Sequence, residues 1–408
     1  MNDKFTLKCS GCGREFSPSP ELYLCPECSK LNTTTTPPKG VLKAIYDFDA
    51  LKSSAEKVIS NNFWDLMPII SPDSLPMLKV GNTPLYRFTD IDGKRLPFKL
   101  YLKDDSQNPT FSFKDRASSV VSAYAKENGI DTIVAASTGN AGSSLAGICA
   151  AQGQKAIIMV PKSAPVAKLT QIVMYGATIV PVDGNYDMAF DLSIEATKAF
   201  GWYNRNTAFN PLTIEGKKTV SFELFNQLNR EIPDYIFVPV GDGVIISGVY
   251  KGYEDLLNVG LISKMPTIVA VQAEGSSNLI NNLKRDDFLV TPSSTIADSI
   301  SVDIPRNFCM AKEFTNLYHG ETLSVTDNEI IEASMILSRN TGIFSEPAAA
   351  TAYAGMIKYH QSQQLKENQK VVVLLTGSGL KDLSAVSKAI TIPNAIEPNI
   401  EALRKMNI

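Results

Sequence analysis

From residue 98 onward, short apolar segments alternate with segments that have the composition of helices. The apolar segments lie at residues 98–103, 131–137, 155–161, 234–240, 267–274 and 371–377. Apolar strands that are joined by helices are typical of parallel sheets buried on both faces. We therefore predict an α/β fold with two parallel sheets, and a ligand site beyond the carboxyl ends of their strands.

The charge and composition of the chain argue against several kinds of partner. The 408 residues carry a net charge of −3, and 44% of them are hydrophobic. This balance favours no nucleic-acid or membrane partner, and the N-terminal residues lack the apolar core of a secretory signal, so we expect a cytoplasmic protein. Because the chain has two histidines, a Ser-His-Asp triad or a three-histidine metal centre has little support.

Four of the six cysteines lie in the first 28 residues. Cys9 and Cys12 form one Cys-x2-Cys pair, and Cys25 and Cys28 form a second pair after twelve intervening residues. Two such pairs can supply four thiolates to one Zn²⁺, which leaves no open position for catalysis, so we predict a structural zinc ribbon. Two disulfides are the alternative, but a cytoplasmic chain rarely keeps them. The Thr- and Pro-rich segment 30–40 is interpreted as a linker.

Three predicted strand ends carry small or hydroxyl-bearing residues. They are Ser137, Thr138, Gly139 and Asn140 in the first, Gly241 and Gly243 in the second, and Thr376 in the third. The first turn suits an anion, although an ordinary helix cap has the same composition. The second suits a single phosphate group, because Ile246 replaces the third glycine that a dinucleotide fingerprint requires.

Lys114 follows two phenylalanines, Phe111 and Phe113, and precedes Asp115 and Arg116. By itself this pattern indicates a surface lysine at the start of a helix. Pyridoxal 5′-phosphate needs an amine for an imine, a phosphate site, and partners for its ring oxygen and nitrogen. Together with the three strand ends, Lys114 can meet all of these needs.

Several motifs occur in the order that is found in threonine synthases. They are SFKDR (112–116), ASTGNAG (136–142), NPLTIEGKKT (210–219), SEPAAA (345–350) and LLTGSGLKD (374–382). Over about residues 80–385 the chain resembles this family of fold-type II enzymes, which are similar to the tryptophan synthase β subunit. The resemblance implies two parallel-sheet domains, a pyridoxal-phosphate-dependent lyase activity and a homodimer.

The resemblance also implies a role for each matching residue. Lys114 would form the imine and then remove the α-proton of the substrate, and Phe113 would keep bulk water away. Asn140 would bind the ring hydroxyl of the cofactor, and Thr376 its ring nitrogen. The cofactor phosphate would be held by the backbone of Gly241, Asp242, Gly243, Val244 and Ile245. The substrate carboxylate would be held by Ser137, Thr138, Gly139 and Asn140.

One departure from the family pattern concerns the substrate. Thr213 replaces the arginine that holds substrate phosphate, and Lys217 replaces a glutamine and is a candidate to supply the missing charge. The expected reaction is the conversion of O-phosphohomoserine and water into threonine and phosphate. Alternatives are a β-elimination or β-replacement enzyme, such as a cysteate synthase or a serine/threonine dehydratase, and a non-catalytic ligand-binding protein on the same fold.

The expected organisation has four segments. A zinc-ribbon-like segment covers residues 1–32, and residues 33–114 begin the large cofactor-binding domain. Residues 115–208 form a smaller α/β domain, and residues 209–408 complete the large one.

Overall fold

The computed structural model describes residues 4–387 and 390–406. The outermost residues of the predicted segments 1–32 and 209–408, together with residues 388–389, lie outside the described residues. The strands are β1 (Thr6–Cys9), β2 (Glu15–Phe16), β3 (Leu42–Ile45), β4 (Leu85–Ile91), β5 (Lys94–Asp104), β6 (Thr132–Ala136), β7 (Lys155–Pro161), β8 (Thr178–Val182), β9 (Tyr203–Asn204), β10 (Tyr235–Pro239), β11 (Thr267–Ala273), β12 (Glu321–Val325) and β13 (Lys370–Leu375).

The α-helices are α1 (Phe48–Lys52), α2 (Ala55–Ser60), α3 (Lys114–Glu127), α4 (Asn140–Gln152), α5 (Val166–Met174), α6 (Tyr186–Phe200), α7 (Leu212–Gln227), α8 (Val244–Val259), α9 (Asn278–Asn282), α10 (Phe308–Leu317), α11 (Asp327–Thr341), α12 (Pro347–Gln361), α13 (Leu383–Ser387) and α14 (Ile400–Arg404). No helix in the described ranges is long and apolar enough to cross a membrane.

Two parallel sheets organise the body of the molecule. The larger has the order β12-β11-β10-β13-β5-β4, in which only β4 is antiparallel to its neighbour. The smaller has the order β8-β7-β6-β9 and is parallel throughout. These sheets confirm the predicted α/β fold class.

The apolar run in β13 shows why the sheet strands contain so few polar residues. Val372 and Leu374 belong to the core on one face of the larger sheet. Val371, Val373 and Leu375 belong to the separate core on the other face. Because successive side chains of a strand point to opposite faces, a strand covered on both sides must be apolar throughout.

The N-terminal segment forms a third, antiparallel sheet of order β2-β1-β3. Its strand β3 lies beyond residue 32, where the sequence predicts the segment to end. The Thr- and Pro-rich segment 30–40 therefore returns the chain to the ribbon.

Candidate active site

A cavity of about 700 Å³ lies where strands of both sheets end. The residues that line it include Lys114, the turn after β6 (137–141), the segment after β10 (241–246), Arg205 and Lys217. The cavity thus brings together most of the residues that the sequence selects. Phe113 and Thr376 are buried and are not among the lining residues, and the N–H of Phe113 donates to the carbonyl of Thr376 at 2.8 Å.

Lys114 is the first residue of α3, and its side chain faces the cavity. Burial lowers the pKa of the Lys114 ammonium, and the nearby carboxylate of Glu346 opposes this effect. A lysine with a lowered pKa is uncharged at a lower pH than usual. This is the form that a nucleophile or a base needs.

The acid–base pair after Lys114 supports the structure around it. Asp115 accepts hydrogen bonds from the N–H of Thr110 at 2.7 Å and from its hydroxyl at 2.5 Å. Arg116 is fully buried and forms ion pairs with Asp105 at 2.6 Å and Glu223 at 2.5 Å. The two residues therefore anchor the first turn of α3 and do not line the cavity.

The turn after β6 leads directly into α4. The hydroxyl of Ser137 accepts from the N–H of Gly139 at 3.2 Å. The amide of Asn140 donates to both carboxylate oxygens of Glu346, at 3.0 and 2.9 Å. Burial raises the pKa of the Glu346 carboxyl, whereas the hydrogen bond from Asn140 lowers it. Glu346 therefore adds a buried carboxylate beside Asn140 and Lys114, for both of which the sequence already predicts a role.

Two positions in the segment after β10 require glycine, one for its backbone conformation and one for lack of space. Gly243 has φ +83°, and a Cβ at Gly241 would lie 2.8 Å from the Cα of Ile300. The first N–H groups of α8 have no partner within the helix and point out of its N-terminus. The carboxylate of Asp242 accepts the N–H of Arg306 at 3.2 Å, so a neighbouring segment engages it.

Lys217 lines the cavity from α7, and its side chain is not exposed. Its ammonium has no hydrogen-bond partner among the described residues. Burial, together with the charges of Arg205 and Lys114, holds the pKa of Lys217 well below its usual value. Charging a buried amine without a partner is costly, so a bound anion would raise this pKa and stabilise the ammonium form.

Arg205 is a second fully buried cation on the cavity. Its guanidinium donates to the hydroxyls of Ser118 at 3.0 Å and Thr207 at 2.9 Å, and to the carbonyl of Lys114 at 3.4 Å. Burial lowers its pKa to about 10. None of these hydrogen-bond partners is charged, and the charge of Asp115 only partly offsets the effect of burial, so a bound anion would stabilise the positive charge of Arg205.

The sequence interpretation did not select Arg205 or Glu346. Arg205 follows β9, which has only two residues and is too short to be recognised as a strand. Glu346 lies within the SEPAAA motif, so its place in that motif was an available signal.

The four cysteines of the N-terminal segment also come together. Their Sγ atoms all lie within 4.8 Å of one another, and the pairs Cys9–Cys28 and Cys12–Cys25 are each 3.8 Å apart. Four sulfurs at about 2.3 Å from a central Zn²⁺ in a tetrahedron lie about 3.8 Å from each other. The cluster is therefore compatible with one tetrahedral zinc.

The cavity likewise fits pyridoxal phosphate. Lys114 offers the amine, the glycine segment before α8 offers close backbone approach, and Lys217 is a buried cation without a partner.

Comparison with known proteins agrees with this geometry. Residues 77–377 match the family of pyridoxal-phosphate dependent enzymes. A threonine synthase of Methanocaldococcus jannaschii is 34% identical over 98% of this chain and 98% of its own. A threonine synthase of a Bacillus species is 38% identical over 75% of this chain and 84% of its own.

Solved structures share the fold. The processed form of threonine deaminase isoform 2 from Solanum lycopersicum has a TM-score of 0.66 at 21% identity, covering 85% of this chain and 95% of its own. Maize serine racemase has a TM-score of 0.63 at 23% identity, covering 84% and 96%. At such identities the likeness concerns the fold alone. The sequence relatives go further, and the chain belongs to the threonine synthase family of pyridoxal-phosphate dependent enzymes.

Proposed function

We propose that this protein converts O-phosphohomoserine and water into threonine and phosphate, with pyridoxal phosphate bound at Lys114. The observation that carries the proposal is the pair of buried cations, Arg205 and Lys217, neither of which forms an ion pair with a described residue. A cofactor and a substrate that each bear a phosphate would supply the missing negative charge.

The cofactor would be held by residues that the motifs already select. The backbone of Gly241, Asp242, Gly243, Val244 and Ile245 would hold its phosphate at the start of α8. Asn140 would bind its ring hydroxyl, Thr376 its ring nitrogen, and Phe113 would shield the site. When bound, pyridoxal phosphate withdraws electrons from the α-carbon of the substrate, which makes its proton removable.

Residues on the cavity would then act on the substrate. Ser137, Thr138, Gly139 and Asn140 would hold its carboxylate, and the amine of Lys114 would take a proton from its α-carbon. Lys217 and Arg205 would neutralise the phosphate group as its bond to the γ-carbon breaks. A proton must also leave the β-carbon, so that the electrons of that C–H bond replace the bond to phosphate. Water would then give its hydroxyl to the β-carbon, two protons would return to the α- and γ-carbons, and the remaining proton would leave with the phosphate.

The replacement of the family arginine by Thr213 is consistent with this assignment of the phosphate. Thr213 is fully buried, and its hydroxyl donates to the carbonyl of Asn210 at 2.8 Å. We assign the binding of the substrate phosphate to Arg205 and Lys217 instead, because both line the cavity that contains Lys114.

The test is a comparison of substrates on the purified holoenzyme. We expect phosphate release and threonine formation from O-phosphohomoserine, and little oxo-acid formation from serine or threonine. Lys217→Met should weaken binding of the phosphorylated substrate about ten- to a hundredfold, because a charged hydrogen bond is worth about 1.5–3 kcal/mol. Turnover of serine without phosphate release from O-phosphohomoserine would instead support a dehydratase.

The role of Lys114 is tested separately. Borohydride should fix the cofactor to Lys114 and yield one labelled peptide, and Lys114→Ala should lose the yellow colour of the attached cofactor. An unchanged visible band in Lys114→Ala would refute the assignment. A wild-type protein that binds amino acids without any turnover would support the ligand-binding alternative.

Three further properties belong to the proposal. One Zn²⁺ per chain is assigned to Cys9, Cys12, Cys25 and Cys28. Metal analysis of the full chain and of a chain without residues 1–32 tests this assignment, because the shortened chain should lose the zinc. The homodimer and the cytoplasmic location are proposed from the family resemblance and the composition. Light scattering of the purified protein tests the homodimer, and cell fractionation tests the cytoplasmic location.

A further inference from the structure

The segment between the ribbon and the body borders the catalytic cavity. Thr33, Thr34, Thr36 and Pro38 line the same cavity as Lys114. Thr34 is exposed, and its hydroxyl makes no hydrogen bond to any described residue. The three threonines therefore present neutral hydroxyl groups at the edge of the space in which a substrate would bind.

Local hydrogen bonds define the shape of this loop, residues 33–38. The hydroxyls of Thr33 and Thr36 lie 2.7 Å apart and are hydrogen-bonded. Asn32 joins the two ends of the loop, because its side-chain oxygen accepts the N–H of Lys39 at 2.7 Å and its amide donates to the carbonyl of Lys39 at 3.4 Å. A short loop whose ends are tied together has few conformations.

The base of the loop is the cysteine cluster. The chain enters the loop through the turn Cys28–Leu31 and leaves it at Gly40. The carbonyl of Gly40 accepts the N–H of Cys25 at 2.8 Å. A Cβ at Gly40 would lie 3.2 Å from the Cβ of Cys28 and 3.3 Å from that of Cys25. A metal that holds Cys25 and Cys28 together would thus hold both ends of the loop.

The ribbon is in turn anchored on the strand that leads to Arg205. The hydroxyl of Tyr23 accepts the N–H of Asn204 at 3.0 Å, and the ring of Tyr23 stacks on Phe209 at a centroid distance of 4.6 Å. The ribbon is therefore attached to the residue that directly precedes Arg205 in the chain.

We propose that Thr33, Thr34, Thr36 and Pro38 form a wall of the substrate site, in which the Thr34 hydroxyl donates to the phosphate end of the substrate, and that zinc in the cysteine cluster sets the position of this wall. The inference rests on the proposed function, because it assumes a phosphorylated substrate. Neutral donors suit this place, since Arg205 and Lys217 already provide the charge.

The chain offers a matched pair of variants. Thr34→Val removes the hydroxyl with little change of shape, and Thr35→Val makes the same change at the next residue, which does not line the cavity. We expect Thr34→Val to raise the KM for O-phosphohomoserine about tenfold with a smaller change in kcat, and Thr35→Val to leave both near the wild-type values.

A binding measurement makes the test independent of turnover. Calorimetry with inorganic phosphate on the holoenzyme should show about tenfold weaker binding in Thr34→Val than in Thr35→Val. Equal affinities in the two variants, or no phosphate binding by the wild type, would overturn the proposed wall. A wild type that binds phosphate, distinguishes the two variants, and releases no phosphate from O-phosphohomoserine would retain the wall and refute the proposed reaction.

The role of the metal is tested on the same two variants. Removal of zinc from the holoenzyme by a chelator should weaken phosphate binding in the wild type and in Thr35→Val, and added zinc should restore it. In Thr34→Val the further loss should be small, because the metal and the hydroxyl act through one contact. Circular dichroism checks that the body stays folded. Equal losses in all three proteins, or unfolding of the body on zinc removal, would contradict positioning of the loop by the metal.

Discussion

Lys217 and Lys218 are neighbours on α7, and neither side chain is exposed, yet their surroundings are opposite. Lys218 forms ion pairs with Glu215 at 2.5 Å and Asp255 at 2.7 Å. Lys217 faces the cavity and has no hydrogen-bond partner among the described residues. Adjacent residues of a helix point about 100° apart, so α7 can present one lysine to the interior and the other to the site.

The difference shows how to separate a structural charge from a ligand-binding one. Lys218 belongs to a cluster of two lysines and two carboxylates, completed by Lys251, which pairs with Asp255. The cluster is neutral in sum, and Tyr46 from the ribbon side donates to Glu215 at 2.6 Å. Lys217 forms no ion pair with any described residue, and the charge of Asp242 does not offset the effect of burial on its pKa, which indicates that a ligand supplies the countercharge.

The largest expected effect is on Lys218. Lys218→Met leaves Glu215 and Asp255 buried with one cation fewer, so we expect a loss of about 3–5 kcal/mol in the free energy of unfolding. Chemical denaturation followed by circular dichroism measures it. Lys217→Met is the matched control and should lose no stability without ligand. If the two variants had the same stability, the contrast between the neighbours would be wrong.

The second effect is on ligand-dependent stability at Lys217. Added phosphate should raise the unfolding midpoint of the wild type, because a ligand that binds only the folded state stabilises it. In Lys217→Met the phosphate concentration that gives the same shift should be about ten- to a hundredfold higher. The exposed Lys264→Met serves as the control and should respond like the wild type. An unchanged phosphate response in Lys217→Met would mean that this lysine binds no phosphate.

The third effect is on pH dependence, where the two environments differ in sign. The pKa of Lys217 is lowered, so between that pKa and 10.5 the unfolded chain holds the proton and the folded chain does not. Stability without ligand should therefore rise with pH in this window, by up to about 1.4 kcal/mol per pH unit. The pKa of Lys251 is raised by Asp255 against the effect of burial, so its contribution is present below 10.5 and is lost as pH rises through the folded pKa.

Unfolding midpoints measured across pH 7 to 10 check this sign. Lys217→Met should remove the rising contribution, and a slope identical to that of the wild type would contradict the lowered pKa of Lys217.

The smallest expected effect is on Tyr46. Tyr46→Phe removes one hydrogen-bond donor to Oε2 of Glu215, and Lys218 still donates to that oxygen. We therefore expect a loss of about 1 kcal/mol in the free energy of unfolding. The exposed Tyr86→Phe is the control. A loss as large as that of Lys218→Met would show that the cluster depends on the ribbon more than on its ion pairs.

Much of the fold follows from local patterns. Apolar runs such as 371–377 predicted strands because a strand covered on both faces needs apolar residues throughout, and the structure has β13 there. The order of the motifs predicted the family, which the relatives confirm. The roles of individual site residues and the domain boundaries stay predictions.

Some features of the site had no usable local signal. Arg205 follows a strand of two residues, and the Thr-rich segment 30–40 has the composition of an ordinary linker. Arg205 borders the cavity because β9 pairs with the distant strand β6, and the Thr-rich segment borders it because the ribbon folds back onto the body.

The sequence by itself thus determined the fold class and the four-cysteine spacing, since each is visible in short segments of the chain. Only the tertiary structure decided which buried lysine has a countercharge and which faces the site. Lys218 is paired with Asp255, 37 residues away, and Tyr46 reaches Glu215 across 169 residues. The charge balance around a buried group depends on such distant contacts, and no local pattern specifies them.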